Sequence, residues 1–270
     1  MSERSQTFGP NILAITNQKG GVGKTTTAIN LATALAAVGR RVALIDLDPQ
    51  GNASTGLGIK ASDRENNTYD LLVHGADLGE LLQETGVPGL SVAPANVDLS
   101  SVDMELVTDK SRVLRLRDAF QAQTDALSNF DYVLIDCPPS LNLLTINALV
   151  AAHYALVPLQ CEFFALEGLS QLMLSIREVR QTLNPELRIQ GVILTMYDAR
   201  NNLSKQVESD VRANLGGLVY DTIIPRNVRL SEAPSHAVPA LIYDHRSSGS
   251  IAYQKLAAEL LKRMNDKVAA

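Results

Sequence analysis

Residues 17–26 read Asn-Gln-Lys-Gly-Gly-Val-Gly-Lys-Thr-Thr. They follow a short apolar run, Ile12–Ile15, and precede a helix-like run, Thr25–Val38. A strand, a glycine-rich turn and a helix in that order form the setting of a phosphate-binding loop. Gly20, Gly21 and Gly23, with Val22 between them, let the backbone curl so that successive N–H groups face an anion. The start of the following helix adds partial positive charge. Lys24 can reach the β- and γ-phosphates of a nucleotide, and the Thr25 hydroxyl can ligate Mg²⁺. In the usual pattern, G-x-x-x-x-G-K-[ST], the first position is Gly, but here it is Gln18. The loop instead carries a second lysine, Lys19. Lys19 stands too early to fold back easily onto its own phosphates. A lysine directed outward can complete the site of a neighbouring subunit, as an arginine finger does. Gly20 would then permit close approach there, and the bland alternative is a solvated loop lysine.

Outward from the loop, apolar runs alternate with helical patterns. Strands are expected at Ile12–Thr16, Arg41–Asp46, Leu90–Pro94, Asp131–Asp136, Tyr154–Leu159, Ile189–Met196 and Val219–Ile224. Helices are expected at Thr25–Val38, with Gly39 as the stop, Ser111–Ala122, Leu141–Ala152, Leu166–Leu183, Leu203–Leu215 and Ser248–Asn265. Shorter helical segments fit Tyr69–Leu72 and Leu78–Leu82, and Asn52–Gly58 reads as a loop. The strand runs are apolar on both faces, as parallel strands covered by helices are. The expected fold is α/β, a doubly wound, mostly parallel sheet with helices on both faces. It forms one domain over 11–270 after a flexible tail over 1–10. Ligands of such sheets sit at the carboxyl ends of the strands.

Three chemical signals fall at those ends. Asp136 closes the run DYVLID in the position of a Walker B aspartate and can accept hydrogen bonds from Mg²⁺-bound water. Asp46 closes RVALID and can orient the Thr25 hydroxyl or a metal water. Asp48 lies two residues further, free to orient a water against the γ-phosphate. Alone, each is equally an ordinary turn or cap residue; the phosphate loop favours the chemical reading.

Composition sets the outer bounds. The chain has 270 residues, 46% hydrophobic and 20% charged, with net charge −5. An acidic body does not announce nucleic-acid binding, so any such surface is a local basic patch. Cys137 and Cys161 form no C-x-x-C pair and the four histidines show no metal spacing, which argues against disulfide and zinc frameworks. The first ten residues lack an apolar signal core. No run approaches the roughly 18 apolar residues of a membrane span. A cytoplasmic location is expected.

KGGVGKTT, DLDPQGN at 46–52 and DCPPS at 136–140 together resemble the ParA/Soj chromosome-partitioning ATPases, within the wider group that includes MinD. LQCEFFALEGL at 159–169, LTMYDAR at 194–200 and IPRNVRLSEAPSH at 224–236 strengthen the partitioning branch. The resemblance implies ATP and Mg²⁺ as cofactors and an ATP-bridged homodimer. It also implies non-specific attachment to double-stranded DNA on the nucleoid, and hydrolysis stimulated by a ParB-type centromere-binding protein. By motif, Lys19 resembles the signature lysine that contacts the partner's nucleotide. Lys24, Thr25 and Thr26 resemble phosphate and Mg²⁺ residues, and Asp48 the water-positioning aspartate. Pro225 and Asn227 resemble the segment lining adenine. Arg200 and Arg229 resemble family arginines that bind DNA. Arg226 and Lys205 are candidate helpers on charge alone, and for Lys205 a solvated face is the better reading. With no long extension before the loop, a separate helix-turn-helix domain there is not expected.

Two other readings compete. A MinD-like membrane-cycling ATPase needs an amphipathic terminal helix. The last helix has Tyr253, Leu256, Leu260 and Met264 on one side and Lys255 and Lys262 on the other, which core packing explains without a membrane. An iron–sulfur or metabolic enzyme of the same fold would put Cys137 and Cys161 to use, whereas free buried thiols suit these positions better.

Overall fold

A computed structural model describes residues 9–268, so most of the expected tail over 1–10 lies outside the described residues. Seven strands form one sheet: β1 (Asn11–Ile15), β2 (Val42–Asp46), β3 (Gln83–Glu84), β4 (Leu90–Ala93), β5 (Tyr132–Asp136), β6 (Tyr154–Gln160) and β7 (Arg188–Thr195). Their spatial order is β3-β4-β2-β5-β1-β6-β7. All pairings are parallel except β3 with β4, an antiparallel edge too short to register in the sequence. β2 and β5 are buried along their whole length, because the sheet is covered on both faces.

The longer helices are α1 (Lys24–Ala37), α2 (Arg115–Ala122), α3 (Leu143–Ala151), α4 (Ala165–Thr182), α5 (Asn202–Leu215) and α6 (Ser248–Val268). Helix α1 is buried on nearly every side, since it runs between the sheet and α6. Its sequence KTTTAINLATALAA supplies small side chains that permit that approach. It ends in a Schellman pattern: Arg40 N–H donates to the Leu35 carbonyl and Gly39 N–H to that of Ala36, with Gly39 at φ +81°. Tyr253, Leu256, Leu260 and Met264 of α6 are all buried in the core layer that contains α1. Their apolar stripe is therefore a packing face, and the Tyr253 hydroxyl meets Thr27 Oγ1 at 3.1 Å.

Three local expectations need correction. Val219–Ile224 does not form a strand, although it runs beside β7. Tyr220 and Ile224 donate to the Val192 and Leu194 carbonyls, but between them the N–H groups of Asp221 and Thr222 donate to the Glu259 carboxylate of α6. That carboxylate interrupts the ladder, leaving isolated bridges at Val219 and Pro225. The expected loop over 52–58 contains a helical turn, Asn52–Gly56. Its residues are poor helix formers, yet Asp46 Oδ2 accepts the Ser54 N–H at 2.9 Å, so a strand-end carboxylate caps it from a distance. The amphipathic run from Ser111 begins as a 3₁₀ turn, Arg112–Leu114, before α2.

Candidate nucleotide site and basic surface

Parallel register brings the chemistry together. Ile15, Asp46 and Asp136 stand level with one another on β1, β2 and β5, so the glycine loop and both carboxylates emerge at one sheet edge. The loop is anchored before it turns: Asn17 Nδ2 donates to the Pro158 carbonyl at 2.8 Å, and Asn17 Oδ1 accepts the Lys19 N–H at 3.0 Å. Gly21 and Gly23 take φ of +76° and +87°, a conformation that L side chains rarely adopt. Val22 is buried, and its carbonyl accepts the Thr195 hydroxyl at 2.8 Å, which fixes the loop over the end of β7.

Lys24 is 6% exposed, and its ammonium donates to the Lys19 carbonyl at 3.0 Å. Burial lowers its pKa, opposed chiefly by Asp136. Asp136 has no exposure at all, and neither of its carboxylate oxygens completes a hydrogen bond of normal geometry. Burial raises its pKa well above the usual carboxylate range, and neighbouring Asp46 reinforces the shift, while the Thr25 hydroxyl and Lys24 draw it down. A buried carboxylate this short of donors, with only the Thr25 hydroxyl near it, is costly to the isolated chain. A divalent cation with its bound water, at a threonine hydroxyl and a lysine, supplies the missing donors and charge. Thr25, Lys24 and Asp136 therefore fit a magnesium–nucleotide.

Asp46 is equally buried but fully engaged. Its Oδ2 accepts from Ser54 N–H and Oγ–H at 2.9 and 2.7 Å, and its Oδ1 accepts the Asp48 N–H at 3.2 Å. Burial pushes its pKa up to about 6 despite these donors. The geometry gives Asp46 a visible task, holding Asp48 and the 52–56 turn in place. Asp48 is 7% exposed; its Oδ1 accepts only the Gln50 N–H, at 3.0 Å. Thr26 and Thr25 help line a cavity of about 270 Å³ closed by Ala233, Pro234 and Pro239. Asn30 joins its two walls, donating to the Thr26 carbonyl and accepting the Ala240 N–H.

Several organising residues carry no motif. Arg64 is buried beneath the Asp48–Asn52 turn and donates to the carbonyls of Gly51, Ala95 and Ile59 and to Thr55 Oγ1. A Cβ on Gly51, at φ +59°, would stand 2.3 Å from the Arg64 guanidinium, so glycine is required there. Lys19 forms an ion pair with Glu162, at the end of β6. Nothing in the spacing of positions 19 and 162 signals either contact. Cys137 and Cys161 are buried free thiols, both with pKa raised by burial, that of Cys161 to about 12.

The other predicted residues gather beside β7. Tyr197 bridges Pro225: its N–H donates to the Ile224 carbonyl, and its carbonyl accepts the Arg226 N–H. Asn227 caps the turn Val228–Glu232, accepting the Arg229 N–H at 2.9 Å, and donates to Ser248 Oγ at 2.8 Å. The segments carrying Arg200 and Arg229 are thus tied side by side. Both arginines are exposed and paired. Arg200 makes a two-pronged contact with Asp198 at 3.0 and 2.9 Å, which holds that carboxyl near pKa about 2. Arg229 contacts Glu232 at 2.8 Å and Asp244 at 3.5 Å. Lys205 is exposed on α5. Arg246, which no sequence motif marks, is exposed two residues from Asp244.

A phosphate-loop site on a doubly wound sheet defines the class, and comparison with known proteins narrows it. A family model described as an AAA domain matches residues 10–189. The chromosome partitioning protein ParA of Caulobacter vibrioides is 60% identical over 258 residues, 96% of each chain. The sporulation initiation inhibitor protein Soj of Bacillus subtilis is 53% identical, over 92% of this chain and 97% of Soj. A solved structure from Mycobacterium smegmatis, called cobyrinic acid a,c-diamide synthase and bound to an ATP analogue and magnesium, superposes with a TM-score of 0.83. It is 38% identical, over 94% of this chain and 95% of that one. The chain belongs to the ParA/Soj family of chromosome-partitioning ATPases.

Proposed function

We propose that this protein is a DNA-partitioning ATPase in which bound Mg·ATP joins two copies face to face and switches on attachment to double-stranded DNA. The observation that carries the reading is Asp136, a buried carboxylate without hydrogen bonds of normal geometry, set beside Lys24 and Thr25 at one sheet edge. When bound, Mg²⁺ supplies neutralising charge to the phosphates. The loop N–H groups and Lys24 hold the phosphates, Thr25 and Asp136 hold the metal and its water, and Asp48 orients the attacking water. Asp46 acts by fixing Asp48, with a place in the metal's outer water shell. Pro225 and Asn227 stand for the adenine side, and Lys19 for the contact to the partner's nucleotide.

Arg200 and Arg229, with Arg226 as a helper, give DNA binding through phosphates, without sequence readout. One copy presents few such contacts; two copies double them, so nucleotide state controls affinity. Hydrolysis, stimulated by a ParB-type protein, returns the single chain and releases DNA. The working location is the nucleoid surface in the cytoplasm. Among the described residues no helix is long and apolar enough to cross a membrane, and the apolar stripe of the terminal helix, which the membrane-cycling reading needs free, is buried in the core.

The test is ATP turnover by the purified protein alone, with DNA, with a ParB-type protein, and with both. Slow basal turnover that rises most with both is expected. Turnover indifferent to both would remove the partitioning reading.

A further inference from the structure

The two lysines of the loop are tied in series. Lys24 Nζ donates to the Lys19 carbonyl at 3.0 Å, and the Lys19 ammonium pairs with Glu162. Glu162 follows β6, and β6 lies directly beside β1, whose end carries the loop. Lys19 therefore has an acidic partner within its own chain, where the trans role described above requires it to reach a second copy.

Glu162 sits in a turn whose backbone is bonded, its N–H donating to the Gln160 carbonyl and its carbonyl accepting the Ala165 N–H, but little side-chain burial holds the segment. Cys161 and Ala165 are buried on either side, but Phe163 and Phe164 between them are 76% and 61% exposed. Those two rings pack edge to face on each other, with centroids 5.0 Å apart, rather than into the core. The segment can therefore follow its charge partner at little cost in burial. The side chains of Lys19 and Glu162 are 44% and 30% exposed. Such a pair is worth only a few-fold in an equilibrium constant, enough to bias a switch and weak enough to be displaced by phosphates.

We propose that Glu162 is a positioning residue that latches Lys19 in the single chain and that nucleotide releases the latch in two stages. Resting on the ATP-dimer reading, the order follows from the two ties. Phosphates bound in the chain's own loop draw the Lys24 ammonium off the Lys19 carbonyl, which leaves the backbone of residue 19 tied through its N–H to Asn17 Oδ1 with one bond fewer. The phosphates of the second copy's nucleotide then compete with Glu162 for the Lys19 ammonium. A single carboxylate loses that competition to a triphosphate held at short range. Glu162 thereby sets how much nucleotide and protein are needed before two copies join. Both copies carry the latch, so its effect on dimerisation enters twice.

Sedimentation velocity of the full chain, with Mg·ADP or with Mg²⁺ and a non-hydrolysable ATP analogue, tests this. Wild type should dimerise with the analogue only. Glu162→Gln should dimerise with the analogue at about three- to tenfold lower protein concentration, two surface pairs being relieved per dimer. Glu162→Asp should lie between the two. Glu162→Gln should leave the affinity of the single chain for Mg·ADP within about twofold of wild type, which separates release of the latch from a general change in the loop. Equal or weaker dimerisation of Glu162→Gln, while wild type dimerises normally, would overturn the latch and leave the dimer reading intact. No wild-type dimer with the analogue would overturn both.

Discussion

The sheet edge and the arginine surface solve opposite electrostatic problems. At the edge, Asp136 and Lys24 are buried, and Asp136 lacks hydrogen bonds of normal geometry. On the surface, Arg200 is 90% exposed on its side chain and fully paired with Asp198. A buried carboxylate short of donors costs stability in every molecule, folded and idle, so its presence points to a ligand. An exposed pair costs almost nothing and points to nothing by itself. The edge thus announces its chemistry from the structure of one chain, whereas the surface acquires meaning only through the nucleotide state and the family.

That contrast can be broken at four points. Lys24→Ala should abolish nucleotide binding, by at least about a thousandfold, since it removes a buried, charge-assisted hydrogen bond to phosphate; ATP affinity within tenfold of wild type, by calorimetry, would refute the loop assignment. Asp48→Ala should keep ATP binding and dimerisation while turnover falls by about a hundredfold or more, and unchanged turnover would move the water-positioning role elsewhere. Arg200→Ala with Arg229→Ala should weaken DNA binding by at least about tenfold and flatten its log–log salt slope by about 3 to 4, because each dimer then neutralises four fewer phosphates. The same double variant should melt like wild type, because both side chains are solvated. A large drop in its stability would mean that the surface is structural.

The smallest effect concerns the fold alone. In the nucleotide-free protein, folded Asp136 has a raised pKa and retains a proton that the unfolded chain releases above pH ~4. Its contribution therefore lowers stability as pH rises from about 4 toward the folded pKa. Asp136→Asn removes that decline, so its stability relative to wild type should improve by about 1–3 kcal/mol between pH 4 and pH 8. Denaturant unfolding at the two pH values measures the difference. A relative loss at pH 8 would show that the charged carboxylate is satisfied within the chain.

Legibility in the sequence followed the same divide. The apolar runs VALID and YVLID, the glycine loop and Gly39 gave the strand ends and the start and stop of α1 to within a residue or so, because local pattern and burial agree there. What escaped depends on distant side chains. Glu259 of α6 captures two N–H groups and interrupts the expected seventh parallel strand. Asp46 makes a helical turn of Asn-Ala-Ser-Thr-Gly, and Arg64 reaches 13 residues back to clamp Gly51. The partner of Lys19 lies 143 positions away. Such contacts have no periodicity to read. The Lys19–Glu162 pair exists because parallel register brings the ends of β1 and β6 to one place, and the others because a helix or loop folds back over the sheet.

The central claim is that nucleotide at the buried edge switches on the exposed surface. DNA binding measured with Mg·ADP and with a non-hydrolysable ATP analogue, each at two salt concentrations, tests it most directly. The account predicts binding with the ATP analogue only, falling steeply at the higher salt. Equal binding in both nucleotide states, or none in either, would contradict it.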